Sequence, residues 1–223
     1  IPRTLNMAMS GLRDMSVIEE APRNRQPVQT YVLEHDDAVI NEAIRKELRR
    51  GGQVFYLHND VATIESCASR ILEAVPEAKI AIGHGKMKEH ELSEVWRMMI
   101  EQEVNVLVCT TIIETGVDLP NANTLIIENA DRMGLSQLHQ LRGRVGRGIW
   151  ESSCILITDN PSEECRKRMK IMCRISDGFK ISEEDLKLRG PGDFFGNRQH
   201  GLPPLKIADI ACDMELMKQT KLC

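Results

Sequence analysis

The sequence predicts an α/β fold: a parallel sheet flanked by helices, with a helical hairpin and loop at the C-terminal end. Three observations carry this. Six short runs rich in β-branched residues recur: "VQTYVL" (28–33), "QVFYL" (53–57), "KIAIG" (79–83), "VNVLVC" (104–109), "TLII" (124–127) and "CILIT" (154–158). Helical patterns at about 36–50, 60–74 and 88–102 separate the first four. Such alternation implies right-handed crossovers and parallel neighbours. The runs at 104–109 and 124–127 are almost wholly apolar, as in central strands covered on both faces.

The elements follow in order. Residues 1–27 are irregular and close on Pro22 and Pro27, so they read as a lead-in linker. In the helix at 60–74, Val61, Ile64, Ala68, Ile71 and Leu72 recur near i, i+3, i+4 spacing. Asn59 and Asp60 are natural N-caps for it. Residues 28–159 thus form an α/β domain, and the texture changes over 160–223. "PSEECRKRMKIMCRI" (161–175) is a charged amphipathic helix whose "RKRMK" reads as a solvated face. "SEEDLKLRG" follows, with Ser182 and Asp185 making a capping-box-like start before Gly190 stops it. A glycine-rich loop and a last helix at about 206–220 end the chain.

Composition bounds the class. Of the 223 residues, 42% are hydrophobic and 28% charged, ordinary for a globular protein. A net charge of −4 argues against coating DNA by bulk charge, while leaving room for a local basic groove. There is no apolar run long enough to span a membrane and no secretory signal. The chain begins at Ile1, which reads as excision from a longer polypeptide. Seven cysteines without C-x-x-C spacing read as reduced thiols of a cytoplasmic protein. Six histidines without paired spacing predict no metal site, and Trp96 and Trp150 read as packing residues.

Two segments carry candidate chemistry. In an open parallel sheet, ligands bind beyond the carboxyl ends of the strands. "CTTIIETGVDLPNA" (109–122) lies there, offering Thr110, Thr111 and the turn from Gly116 to Asp118. "QLHQLRGRVGR" (137–147) lies between the last two strands. Gly143 and Gly146 allow close backbone approach, and Arg144 and Arg147 are three apart, on one helical face. Guanidinium forks match phosphoryl oxygens in a bidentate way. An isolated R-G-R would read as a solvated helix face, but the Thr-rich turn one strand earlier gives it a partner. Yet no G-x-x-x-x-G-K-[ST] loop exists in the chain: Lys86 of "GHGKM" lacks both the upstream glycine and the following Ser or Thr.

"VLVCTTIIETGVDLPNA" followed by "QLHQLRGRVGR" resembles motifs V and VI of superfamily 2 helicases and translocases. "IPRTLNMAMSG", "GGQVFYLHNDV", "AIGHGKM" and "VNVLVCTTIIETG" resemble the bacterial transcription-repair coupling factors (Mfd), and the tail from "DGFKISEEDLKLRG" onward resembles the DNA helicase RecG. The chain is similar throughout to that related pair. The resemblance implies a second RecA-like motor lobe plus a translocation motif. ATP and Mg2+ would be bound mainly by a first RecA-like lobe of the same polypeptide, which carries the P-loop and the DExH box. It implies Arg144 and Arg147 as arginine fingers, with Gln140, Gly143, Gly116 and Asp118 at the nucleotide. Thr110, Thr111 and Glu114, with Gly83, His84 and Gly85, would meet the tracked DNA strand. Arg189 and Gln199 would couple nucleotide state to movement.

The implied activity is ATP-driven translocation on double-stranded DNA in repair, displacing stalled RNA polymerase, with excision-repair proteins engaged through other domains. The alternatives are RecG-type remodelling of stalled forks and Holliday junctions, or a non-catalytic α/β module that binds a protein. Failure to bind DNA even with both lobes present would favour the last.

Overall fold

The computed structural model describes residues 27–115, 117–159 and 161–189. Six parallel strands form one sheet: β1 (Val28–Leu33), β2 (Gln53–Leu57), β3 (Ile80–Gly83), β4 (Val106–Cys109), β5 (Ala122–Ile127) and β6 (Ser152–Ile157). Their order is β1-β6-β5-β2-β4-β3, so β4 and β5 are internal and wholly buried. Among the described residues six α-helices accompany them: α1 (Asp37–Arg49), α2 (Ile64–Ala74), α3 (Glu89–Ile100), α4 (Leu135–Arg142), α5 (Glu163–Arg174) and α6 (Gly178–Arg189).

The pleat sends alternate strand residues to opposite faces. Val54, Tyr56, Val106, Val108, Ile126, Ile155 and Ile157 share a core with Ile40 and Ile44 of α1 and Ile64, Cys67, Ala68 and Ile71 of α2. The other parity, including Phe55, Leu107, Leu125 and Leu156, is buried as well. On that face α5 packs on β1 and α4. Burial on both faces explains why these strands lack polar alternation. Residues 24–181 form one compact unit, so α5 belongs to the α/β body. The unit made of 1–23 and 182–223 lies almost wholly outside the described residues, including the expected tail loop and last helix.

Three local expectations are corrected. α2 begins at Ile64, with Thr63 as its cap residue. Asp60 instead closes the preceding turn, accepting from Ala62 N at 3.0 Å and from the Thr63 hydroxyl at 3.0 Å. α6 begins at Gly178 rather than at Ser182. Asp177 captures the N–H groups of Phe179 and Lys180, at 2.8 and 3.2 Å, one turn earlier than the Ser182 signal. Trp150 is 52% exposed, with the Arg50 guanidinium 5.6 Å from its ring centroid, so it is stacked rather than packed inside. By contrast, Ser162 caps α5 by accepting from Cys165 N at 3.2 Å, close to the predicted start. Among the described residues no helix is long and apolar enough to cross a membrane.

Candidate functional site

All six strands run the same way, so their carboxyl ends share one edge, the ligand-binding edge of open parallel sheets. Backbone bonds carry the ladder just beyond it. Thr110 N donates to Gly83 O at 3.1 Å, His58 N to Cys109 O at 2.8 Å and Glu128 N to Leu57 O at 3.0 Å.

The loop after β4 must straddle β2 to reach β5. It starts with buried Thr110 and continues as a 3-10 turn, Thr111–Thr115. Ile113 is buried and anchors the turn. A Cβ placed on Gly83 would lie 2.7 Å from Ile112 Cδ1, so the β3 end and this turn are in tight contact. His84 is half-buried, with its Nδ1 buried and without a hydrogen-bond partner among the described residues, and Gly85 is exposed.

α4 ends at Arg142, with Gly143 as its cap residue. Arg144 and Arg147 therefore lie beyond the helix, which corrects the shared helical face read from their spacing. The chain turns at Gly146, whose φ of 78° lies in the left-handed region that glycine adopts without penalty. The arginines diverge. Arg144 Nη2 donates to Glu114 O at 3.0 Å, while its Nε is buried and has no partner among the described residues. Arg147 Nη1 pairs with Asp118 Oδ1 at 3.1 Å. Gln137 Nε2 adds a bond to Glu114 Oε1 at 3.0 Å. Three side chains thus tie the α4 region to the loop after β4. Gln140 is exposed on α4. Gly116, Gln199 and the Arg189 side chain lie outside the described residues.

Two contributors escaped the sequence reading. Arg142, the first arginine of "RGRVGR", is 5% exposed and faces away from its neighbours' partners. It donates to Met172 O at 2.7 Å and Ile175 O at 2.9 Å, satisfying carbonyls at the end of α5. Burial lowers its pKa from the ordinary arginine value. Gly148 is the other: a Cβ there would lie 2.4 Å from Pro120 O. Its glycine sits inside a G-R-G repeat that motif spacing already explained, so nothing in the sequence marked it.

The helicase conserved C-terminal domain matches residues 36–148, just over half of the chain. The chain belongs to this helicase C-terminal domain family. A second match, to the C-terminal part of domain 3 of the ATP-dependent DNA helicase RecG, covers residues 175–222. The lobe is 52% identical to the transcription-repair-coupling factor of Escherichia coli K12, over 98% of this chain and 19% of that protein. It is 51% identical to the Bacillus subtilis 168 factor, over 90% of this chain and 18% of that protein. The solved structure of RecG bound to a three-way DNA junction superposes with a TM-score of 0.75 at 39% identity, covering 98% of this chain and 29% of that one. These similarities place the lobe in the RecG and transcription-repair coupling factor group of superfamily 2. It spans about one fifth of the length of the curated relatives it matches.

Proposed function

We propose that this chain is the second motor lobe of an ATP-dependent double-stranded DNA translocase that acts in transcription-coupled repair. The observation that carries the reading is the pinning of two arginines to the loop after β4, in a chain with no P-loop of its own. The buried, unpartnered Nε of Arg144 is a donor suited to a phosphoryl oxygen, so these residues fit a triphosphate. ATP with Mg2+ supplies the phosphoryl group whose transfer to water drives the motor, and both are held mainly by the first lobe. The reading assigns no Mg2+ ligand to this lobe.

Within it, Arg144 and Arg147 stabilise charge that develops on transfer, which is worth ~10³–10⁵ in rate for an arginine finger. Asp118 orients Arg147, and Gln140, Gly143 and Gly116 serve the nucleotide. Thr110, Thr111, Glu114, Gly83, His84 and Gly85, at the ends of β3 and β4, meet the backbone of the tracked strand. Arg189 and Gln199 couple lobe closure to movement. Residues 1–27 lead in from the first lobe, 28–159 form the RecA-like lobe, and 160–223 carry the translocation-motif region. RNA polymerase and excision-repair proteins are the partners of the whole protein.

A second reading, fork remodelling, is favoured by the RecG match over residues 175–222 and by the 39% identity to RecG. Displacement of stalled RNA polymerase against reversal of a model fork, both measured on the two-lobed parent, separates the two.

Arg144→Ala in the two-lobed parent should abolish ATP hydrolysis and spare duplex binding. Arg189→Ala or Gln199→Ala should keep ATP hydrolysis and stop translocation. One phenotype for all three would defeat the division of roles. Residues 1–223 alone should bind duplex weakly, in a salt-sensitive way, and should not turn over ATP. Robust turnover by that chain would sink the reading.

A further inference from the structure

Behind the loop that follows β2 lies a cluster that the motor reading does not use. Tyr56 belongs to β2 and His58 follows it; Glu128 follows β5; Cys67 and Arg70 belong to α2. Glu128 is 7% exposed and Cys67 4%. A His58 ring nitrogen, Cys67 Sγ and a Glu128 carboxylate oxygen all lie within 4.8 Å of one another.

The surrounding hydrogen bonds favour one tautomer of the His58 ring. The Thr63 hydroxyl donates to Asp60 Oδ2 at 3.0 Å. A hydroxyl has one hydrogen, so toward His58 Nε2, at 2.7 Å, Thr63 can only accept. His58 therefore carries a proton on Nε2, and in the neutral ring Nδ1 is a bare lone pair. Nδ1 nevertheless sits in close contact with Glu128 Oε2. Glu128 is itself an acceptor, taking the Tyr56 hydroxyl at 2.5 Å and Arg70 Nη2 at 3.2 Å on Oε1. Two acceptors at contact distance repel unless a cation lies between them. That cation is either a proton or a metal ion. The Cys67 thiol, its Sγ 4.0 Å from Glu128 Oε1, donates weakly to the same carboxylate and brings a third metal-ligating side chain to it.

We propose that His58, Cys67 and Glu128 form a three-donor site for one borderline-soft divalent cation of the Zn2+ class. Imidazole nitrogen, thiolate sulfur and carboxylate oxygen are the donors such ions take. Bonds of about 2.0–2.3 Å in a tetrahedron hold the ligand atoms roughly 3.3–3.7 Å apart, so small rotamer shifts complete the geometry. The supporting bonds are already present. Thr63 orients the ring through Nε2 and Tyr56 orients the carboxylate, as second-sphere partners of metal ligands do. Arg70 is half exposed and also reaches Asp37 at 3.9 Å, which gives it an alternative partner when the ion binds. Water takes the fourth position. As the metal–sulfur and metal–nitrogen bonds form, the thiol proton and the proton between His58 and Glu128 pass to solvent. The bound ion would clamp the loop from His58 to Thr63 onto Glu128 at the carboxyl edge. This site is independent of the motor assignment.

The test uses the 223-residue chain stripped with chelator and titrated with Co2+, then with competing Zn2+. The expected result is saturation at one equivalent with a thiolate-to-cobalt charge-transfer band that Zn2+ bleaches. Cys67→Ser should remove the band. His58→Phe should weaken Co2+ binding at least ~10-fold, and Tyr56→Phe by ~10–100-fold with the band kept. Cys173→Ser, at an exposed cysteine, should change nothing. Circular dichroism reports whether each variant folds, and His58→Phe decides if Cys67→Ser does not. Absence of the band in the unaltered chain, with nitrogen NMR showing an imidazolium at His58, would mean a proton alone bridges the pair and would overturn the proposal. A band that survives both Cys67→Ser and His58→Phe would overturn it too.

Discussion

Arg147 Nη1 lies 3.1 Å from Asp118 Oδ1, joining the turn beyond α4 to the loop beyond β4 across 29 residues of sequence. Asp118 is 65% exposed at its side chain and Arg147 23%. So open a pair contributes only about 0–1 kcal/mol to folding. In the proposed motor its value would lie in aim: the carboxylate fixes one guanidinium while Arg144 is held separately by a backbone carbonyl.

Asp118→Asn should therefore leave stability within about 1 kcal/mol. ATP turnover of the two-lobed parent should fall by up to about 10²-fold, the scale of a misplaced catalytic group. Urea denaturation and steady-state hydrolysis check the two halves. A large stability loss with unchanged turnover would make the pair a fold element.

Arg142→Met should do the reverse. It leaves the carbonyls of Met172 and Ile175 without their charged donor, a loss of roughly 1.5–3 kcal/mol. Hydrolysis per folded parent molecule should hold, because the Arg142 guanidinium is engaged at the end of α5. A turnover defect in fully folded protein would place Arg142 with its two neighbours.

Gly148→Ala pushes a methyl group into Pro120 O, a backbone atom that cannot rotate away. Overpacking of this kind costs about 1–3 kcal/mol. Pro120 follows Asp118 by two residues, so the strain should also spoil the Arg147–Asp118 register. Thermal unfolding of the chain and hydrolysis by the parent should both worsen. Wild-type values for both would show that the loop yields freely.

Stability should fall as pH rises above about 9. Burial pushes the Cys154 thiol up from its reference 9.0 to about 12, and raises Cys109 as well. Between those values the unfolded chain has lost the thiol proton that the native state keeps. The unfolded state then binds fewer protons, so unfolding becomes easier with each step in pH. One such group contributes a slope of about 1.4 kcal/mol per pH unit. Cys154→Ala should flatten the decline by about that share in urea denaturation between pH 8 and pH 10.5. An unchanged slope would refute a buried neutral thiol.

Much of the fold was legible because burial wrote it into composition. β4 and β5 are covered on both faces, so they read as almost wholly apolar runs, and each run coincides with a strand to within two residues. Helix starts were less legible, because several polar residues compete for the same amide groups. Asp60 and Asp177 each satisfy amides that the sequence would equally have assigned elsewhere. The site was half legible. Motif spacing singled out the arginines and the threonine turn, but spacing says nothing of direction. Arg142, Arg144 and Arg147 stand within six residues and reach three different targets.

The sequence by itself determined a parallel α/β lobe, the two loops at its carboxyl edge, and the want of a phosphate cradle in this chain. Hydrophobic period and motif chemistry are local, and local order is enough to read them. Only the tertiary structure decided which arginine is buried scaffold and which two meet the loop after β4. Only it showed that Gly148 must stay small and that His58 Nδ1 meets Glu128 Oε2. Those facts depend on contacts between residues far apart in the chain, made when β5 pairs with β2 and β6 with β5, bringing their loops together.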